Sequence, residues 1–210
     1  MDIKLNTSVN NVLFYLPRPK SNFELVNIDY DNIKRTLYKG CIYLPHLLAQ
    51  KDDLILFNLL NDELKLHDPK NLFNWSKHYK IENPQSNTFN KIVKVLSEYF
   101  NVNVLQTRIN YYTKNDYKPF HHDSHAYTNG EKEDITIGCS FGSSRSLSFK
   151  HAKENVYFEF PQNNGDVFCF NHETNLMFMH GIPKIKTKNE NNVRISIIIW
   201  GKKNKMYQKI

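Results

Sequence analysis

Cysteine is scarce in this 210-residue chain: Cys41, Cys139 and Cys169 are the only three, and none sits in a C-x-x-C spacing. An odd count without paired spacing argues against a disulfide framework and a zinc ribbon. It points instead to a reducing compartment, with the thiols acting as small buried hydrophobes. Long apolar runs are missing too. The densest, "ISIIIW" at 195–200, is far too short to span a bilayer, and the opening "MDIKLNTSVNNVLFYLPRPK" carries neither an apolar h-region nor a small-residue cleavage site. Repeats and long linkers are also absent. The expectation is a soluble intracellular protein, cytoplasmic or nuclear, without a membrane partner.

What is present is enough for a domain with a real core. Hydrophobic residues make up 40% of the chain and aromatics 13%, which excludes a disordered tail. The net charge of +7 and the isoelectric point near 9.1 favour an anionic partner, and nucleic acid is the commonest one.

Hydrophobic periodicity divides the chain. Residues 1–45 read as an irregular N-terminal extension packed on the core, with short β-like pieces such as "NVLFYLP" and "GCIYLP"; residues 46–210 read as a single domain. Leu54, Phe57, Leu60 and Leu64 recur at helical spacing, with Asp52 and Asp53 at the helix start. A second helix is expected over 88–100, with Phe89, Ile92, Val95, Leu96 and Phe100 on one side. From Asn103 the period changes to two. About seven segments, from "VNVLQTRINYYT" to "NVRISIIIW", are β-branched or aromatic and separated by turn chemistry such as "PQNNGD". Two helices followed by such strands make an α+β fold: a jelly roll or sandwich with the helices buttressing one sheet.

The chemistry concentrates in "NYYTKNDYKPFHHDSHAY", residues 110–127. His121 and Asp123 are two apart, so an extended backbone points both to the same side. A third ligand has to come from a distant strand, and His180 in "MFMHGIP" is placed to supply it. Two imidazoles and one carboxylate on one face of a metal form the facial triad of non-haem Fe(II) oxygenases, which leaves positions open for a co-substrate and dioxygen. Arg194 follows in "NVRISIIIW". An arginine in so apolar a strand is costly to bury unless it holds an anion, and a dicarboxylate such as 2-oxoglutarate would supply one; the alternative is an edge arginine facing solvent. His122 points to the other face and reads as structural, and His172 as a supporting or core hydrogen-bonder.

Several motifs in order resemble the AlkB-like Fe(II)/2-oxoglutarate dioxygenases. The similarity runs from about residue 43 to the C-terminus: "NYY" for N-x-Y, "HHD" for H-x-D, "SFGSSR" for S-F-G-x-x-R, and "NHETNLMFMHGIP" for the N-H-x-T-N…H-x-[LI]-P signature of the nucleic-acid demethylase branch. "VRISIIIW" sits where the family has its R-x-N-L-T-F-R strand.

The resemblance implies a double-stranded β-helix in which His121, Asp123 and His180 bind Fe(II), and Asn110, Tyr112 and Arg194 contact 2-oxoglutarate. With O2 as the further substrate, the implied chemistry is oxidation of 2-oxoglutarate to succinate coupled to hydroxylation of an N-methyl carbon, which then leaves as formaldehyde. The substrate would be an N-alkylated base in DNA or RNA, single-stranded or flipped out to reach the metal, and the enzyme a monomer. His125, Arg145 and Tyr111 are the substrate-side candidates. Tyr117, Phe120, Trp75 and Tyr79 are further aromatics for the entrance.

Three departures stand out. Asn115 replaces a family glycine and is expected to keep the turn through a left-handed backbone. Trp200 replaces the second arginine of the co-substrate grip, leaving Lys202 or Lys203 to compensate. His125 replaces an acidic residue used on the base. These leave two alternatives open: a 2-oxoglutarate-dependent hydroxylase or demethylase of a protein side chain, and a nucleic-acid-binding jelly roll without catalysis.

Overall fold

The computed structural model describes residues 29–64, 72–73, 78–81, 84–184 and 193–204, with residues 3, 5–6, 10–11 and 15–16 near the N-terminus. In chain order the elements are β1 (Asn10–Asn11), α1 (Tyr30–Gly40), β2 (Cys41–Leu44), α2 (Ile55–Leu64), β3 (Leu72–Phe73), β4 (His78–Ile81), α3 (Asn87–Phe100), β5 (Val102–Tyr112), β6 (Lys118–His121), β7 (Tyr127–Thr128), β8 (Glu131–Lys132), β9 (Ile135–Gly142), β10 (Arg145–His151), β11 (Tyr157–Gln162), β12 (Val167–Asn171), α4 (His172–Met177), β13 (Phe178–Ile182) and β14 (Arg194–Lys203).

The strands pair antiparallel into an eight-stranded sheet, β1-β2-β12-β9-β14-β5-β4-β3, a four-stranded sheet, β11-β10-β13-β6, and a separate β7-β8 pair. Together they form the expected jelly roll. A period of two along β14 separates its faces. Ile195, Ile197 and Ile199 join a cluster with Leu56, Leu60 and Leu64 of α2 and Phe89, Ile92 and Leu96 of α3. Arg194, Ser196, Ile198 and Trp200 line the cavity on the opposite face. A second cluster, rich in phenylalanine, joins Phe149, Phe158, Phe160, Phe168, Phe170 and Phe178 to Ile33 and Leu37 of α1. Burying such rings removes roughly 150–250 Å² of surface each, so this cluster dominates the cohesion around the site.

The helix ends follow local chemistry. Ser86 caps α3 by accepting from Phe89 N at 2.9 Å, and Asn101 closes it in the left-handed region. Asp53 accepts from Ile55 N at 3.1 Å at the start of α2. The buried stripe of α2 is Leu56, Leu60 and Leu64; Leu54, expected on it, precedes the helix and is exposed. Residues 30–44 are not irregular. They form α1, capped by Asp29 through Asn32 N at 3.0 Å, and β2, which is inserted between β1 and β12. The "NVLFYLP" expectation falls mostly outside the described residues. "LMFMHGIP", read as strand throughout, divides: Leu176 and Met177 end α4, and β13 begins at Phe178. Among the described residues no helix is long and apolar enough to cross a membrane.

Candidate metal centre and co-substrate cavity

Register builds the centre. In the four-stranded sheet His180 on β13 is the direct cross-strand partner of His121 on β6. Their rings stand 4.3 Å apart between centroids. The close approach needs Gly181, because a Cβ there would lie 2.8 Å from Lys118 O and 3.1 Å from Phe120 N. Asp123 lies two residues past β6. Its Oδ1 is 3.6 Å from His121 Nε2 and 3.7 Å from His180 Nε2, and one ligand atom from each of the three residues lies within 4.8 Å of the others.

The protonation states suit a divalent metal. His121 Nδ1–H donates to Pro119 O at 2.9 Å, which leaves Nε2 as the ring nitrogen facing Asp123. Burial holds His180 well below the usual imidazole range, hence neutral. Burial alone would raise the carboxyl of Asp123, but His180, His121 and Lys118 outweigh it and hold that carboxyl well below the usual range. Two imidazoles and one carboxylate are the donor set that fits Fe(II).

Asp123 is also held from behind. Its backbone N–H donates to Asn175 Oδ1 and its carbonyl accepts from Asn175 Nδ2, both at 2.9 Å. Asn175 is on α4, inside "NHETN"; Asn171 of the same motif caps the helix by accepting from Thr174 N at 2.9 Å. His122 is not one of this trio; its Nδ1 is bonded to the carbonyl of Asn175, as expected of a structural residue.

A cavity opens beside the triad, lined by Asp123 and His180 on one side and by Asn110, Tyr112, Ser196 and Arg194 on another. Arg194 is 1% exposed, so it does not face solvent from an edge. Its Nε donates to Ser140 Oγ at 2.7 Å and its Nη2 to Gln162 Oε1 at 2.5 Å. Its Nη1 is buried without a partner, and among the described residues no carboxylate pairs with it. Burial pulls its pKa down to about 10, which still leaves a cation at neutral pH. Gln162 Nε2, on the same cavity, is a second buried donor without a partner. Donors left open beside an unneutralised charge are the complement of an anion. Asn110 is fixed on the adjacent strand β5, with Oδ1 3.0 Å from His78 Nε2 and Nδ2 3.4 Å from Ser196 Oγ. His78 stacks on Tyr112 at 4.6 Å.

The three substrate-side candidates sit elsewhere. Tyr111 alternates with Asn110 and Tyr112, so it faces the helices, where its hydroxyl reaches Asn61 Oδ1 at 3.3 Å. Arg145 is buried and binds the carbonyls of Asp116 and Thr113, pinning the turn after β5. His125 is buried behind Asp123 with both ring nitrogens engaged, by Thr136 and His172.

Other expectations also change. Asn115 is not left-handed; the non-glycine residues with positive φ among the described residues are His46, Asn101, His125 and Asn129. Trp200 lines the cavity with the guanidinium of Arg108 5.1 Å from its ring centre. Lys202 does not replace the missing arginine, because it pairs with Asp134 at 3.0 Å, and Lys203 is exposed. The cation that does reach the cavity is Lys118, whose pKa burial lowers to about 8 against the opposing pull of Asp123. Of the aromatics, Phe120 is 41% exposed and packs edge-on against Tyr157, Tyr117 lies under Lys184, Tyr79 is on β4 beside Tyr111, and Trp75 is outside the described residues. Sequence reasoning missed Lys118, Thr136, Gln162, Asn175 and His78. Strand alternation would put Lys118, three before His121, on the opposite face, and the register shift between β6 and β13 at this point has no sequence signal; the others depend on contacts between distant segments.

Comparison with known proteins fits this geometry. The sequence profile of the 2OG-Fe(II) oxygenase superfamily matches residues 58–199. The chain belongs to that superfamily: it is an oxygenase using Fe(II), 2-oxoglutarate and O2. No curated protein sequence matches it significantly. A Pseudomonas putida prolyl-4-hydroxylase is similar in structure at 11% identity, with a TM-score of 0.54 over 79% of this chain and 94% of that one. OsALKBH1 is similar at 15% identity, with a TM-score of 0.51 over 78% and 97%. The viral collagen prolyl hydroxylase vCPH from Paramecium Bursaria Chlorella virus-1, in its 2OG complex, is similar at 12% identity, with a TM-score of 0.53 over 77% and 96%. At these identities the likeness is one of fold.

Proposed function

We propose that this oxygenase demethylates N-alkylated bases in nucleic acid. The observation that carries the reading is the placement of "NHETN", the segment whose resemblance to the nucleic-acid demethylase branch is most specific. It is built into the centre, with Asn175 clamping the backbone of Asp123. The net charge of +7 adds sequence-independent attraction to phosphates. A base held single-stranded or flipped out would present its N-methyl group to the cavity.

In this reading His121, Asp123 and His180 hold Fe(II). Arg194, Asn110 and Tyr112 orient 2-oxoglutarate, and Lys118 adds the second positive charge that the family's second arginine would have given. The bound metal would supply oxidative decarboxylation of 2-oxoglutarate by O2, giving succinate with one oxygen atom and CO2, coupled to hydroxylation of the methyl carbon with the other, after which formaldehyde leaves. The chain's own contribution is to keep His180 neutral and Asp123 ionised, and to wall the cavity with Ile198, Phe168 and Leu147, which limits water.

A protein side chain is the second reading. It is favoured by the burial of His125, which leaves no polar group there for a base's exocyclic amine. Incubation with Fe(II), 2-oxoglutarate and ascorbate separates the two. Methylated oligonucleotides should stimulate succinate formation and lose the mass of a methylene group. Stimulation by peptides alone would overturn the nucleic-acid reading in favour of the second.

A further inference from the structure

Asp123 offers two carboxylate oxygens, and Oδ1 lies 3.6 and 3.7 Å from the two histidines. The other, Oδ2, is 2.8 Å from Thr136 Oγ1. Thr136 Oγ1 is 2.9 Å from His125 Nε2, and His125 Nδ1 is 3.0 Å from His172 Nδ1. The three contacts join into one chain from the half-buried first residue of α4 to the metal-binding carboxylate.

Donor and acceptor chemistry gives the chain a direction. A carboxylate only accepts, so the Thr136 hydroxyl proton points at Asp123. That hydroxyl has one proton, so His125 Nε2–H has to donate to it. A neutral His125 then has its lone pair on Nδ1, and His172 Nδ1–H donates there. An acidic residue at 125 could not complete the chain, because it has no proton to give Thr136 and would add charge behind Asp123. His125 is also held at φ 41°, a left-handed backbone that costs a non-glycine residue roughly 1–2 kcal/mol. Strain of that kind persists where surrounding contacts over-determine it.

We propose that Thr136, His125 and His172 are positioning residues for the metal centre: a directed hydrogen-bond chain that occupies Asp123 Oδ2 and so presents Oδ1 alone to the metal. The proposal rests on the assignment of His121, Asp123 and His180 as ligands. Under it α4 holds Asp123 twice. Asn175 fixes the backbone, and His172, three residues earlier on the same side of the helix, fixes the carboxylate through the chain. Partners of metal ligands set ligand orientation and basicity, and removing them lowers metal affinity by about 10- to 100-fold.

The test is Mn(II) binding to the metal-free full chain, followed by calorimetry and by the Mn(II) paramagnetic resonance signal, with no turnover involved. Thr136→Val keeps the shape and removes the proton; it should weaken Mn(II) binding roughly 10- to 100-fold at an unchanged melting temperature. Thr136→Ser should restore affinity to within about threefold, which a purely structural role for the methyl group would not give. His172→Leu should weaken binding in the same direction by a smaller factor, and His172→Asn, which keeps a donor near the Nδ1 position, should recover most of it. Should Thr136→Val fail to fold, the half-buried His172 pair still decides. Asp123→Ala is the control for the underlying assignment: wild-type affinity in that variant refutes the ligand set itself. Loss of binding in Asp123→Ala, with wild-type affinity in folded Thr136→Val or in both His172 variants, overturns the chain and leaves the ligands standing.

Discussion

Replacing Arg194 with methionine separates the co-substrate role of this side chain from any role in the fold, because the two predict opposite signs. Arg194 is fully buried; among the described residues its guanidinium donates to neutral groups of Ser140 and Gln162, and its Nη1 has no hydrogen-bond partner. Methionine fills a similar apolar path. The substitution strips two hydrogen bonds, worth about 1 kcal/mol each, but also removes a desolvated charge whose burial costs several kcal/mol. In the absence of 2-oxoglutarate the variant should therefore stay within about 2 kcal/mol of wild type, or exceed it, whereas a typical large-to-small core truncation costs about 2–5 kcal/mol. Binding should behave differently. Losing one side of a buried, hydrogen-bonded charge pair costs about 2–5 kcal/mol, or roughly 30- to 4,000-fold in affinity. Thermal unfolding with Mn(II), with and without 2-oxoglutarate, reads both effects. Ligand at about 100 times its Kd should stabilise wild type by about 2.7 kcal/mol, roughly 5–11 °C for a chain of this size, and Arg194→Met at the same concentration by at most about 0.9 kcal/mol, a third of that shift or less. A variant that unfolds at a much lower temperature yet gains the full wild-type shift on adding 2-oxoglutarate would refute the reasoning.

Other outcomes follow from the same geometry. Lys118→Met should raise the 2-oxoglutarate concentration needed for half-maximal turnover by about 5- to 10-fold, less than Arg194→Met, as expected for loss of a single point charge near the co-substrate; an unchanged requirement would remove Lys118 from the grip. Gly181→Ala should weaken Mn(II) binding and destabilise the fold by about 1–3 kcal/mol, since its Cβ would push β6 away at Lys118 O; calorimetry and thermal melts check both. Burial lowers the pKa values of His180, His125 and His151. The unfolded chain therefore binds more protons than the folded one below about pH 6.5, and stability of the metal-free protein should fall as pH drops from 7 to 5, by up to ~1.4 kcal/mol per pH unit from His180 alone. Depression of the Asp123 carboxyl adds loss of the same sign at lower pH. A melting temperature flat over that range would contradict the neutral, buried state of His180.

The sequence exposed those parts of the fold that depend on local periodicity. The strands from Val102 onward and the helices α2 and α3 are legible because alternation and helical spacing are properties of neighbouring residues. The candidate metal cluster was legible because H-x-D keeps two potential ligands close together at the end of β6, and the order of motifs singles out His180. α1 was hidden because its buried face is only Ile33, Leu37 and Gly40 among charged residues. Tyr111 shows a rule known but not applied, since a residue between Asn110 and Tyr112 has to face the helices. His125 and Arg145 could not be placed from sequence. Their roles depend on Thr136, His172, Thr113 and Asp116, which tertiary structure alone brings within reach. The same holds for Gln162, whose only signal is its contact with Arg194.

The central claim is that His121, Asp123 and His180 hold the iron beside a 2-oxoglutarate anchored by Arg194. Anaerobic absorption spectroscopy of the full chain tests it most directly. Adding Fe(II) and 2-oxoglutarate together should produce a metal-to-ligand charge-transfer band that neither produces alone, and Asp123→Ala should show none while keeping its circular dichroism. Absence of the band in the wild-type protein, or a band of full strength in Asp123→Ala, would contradict the account.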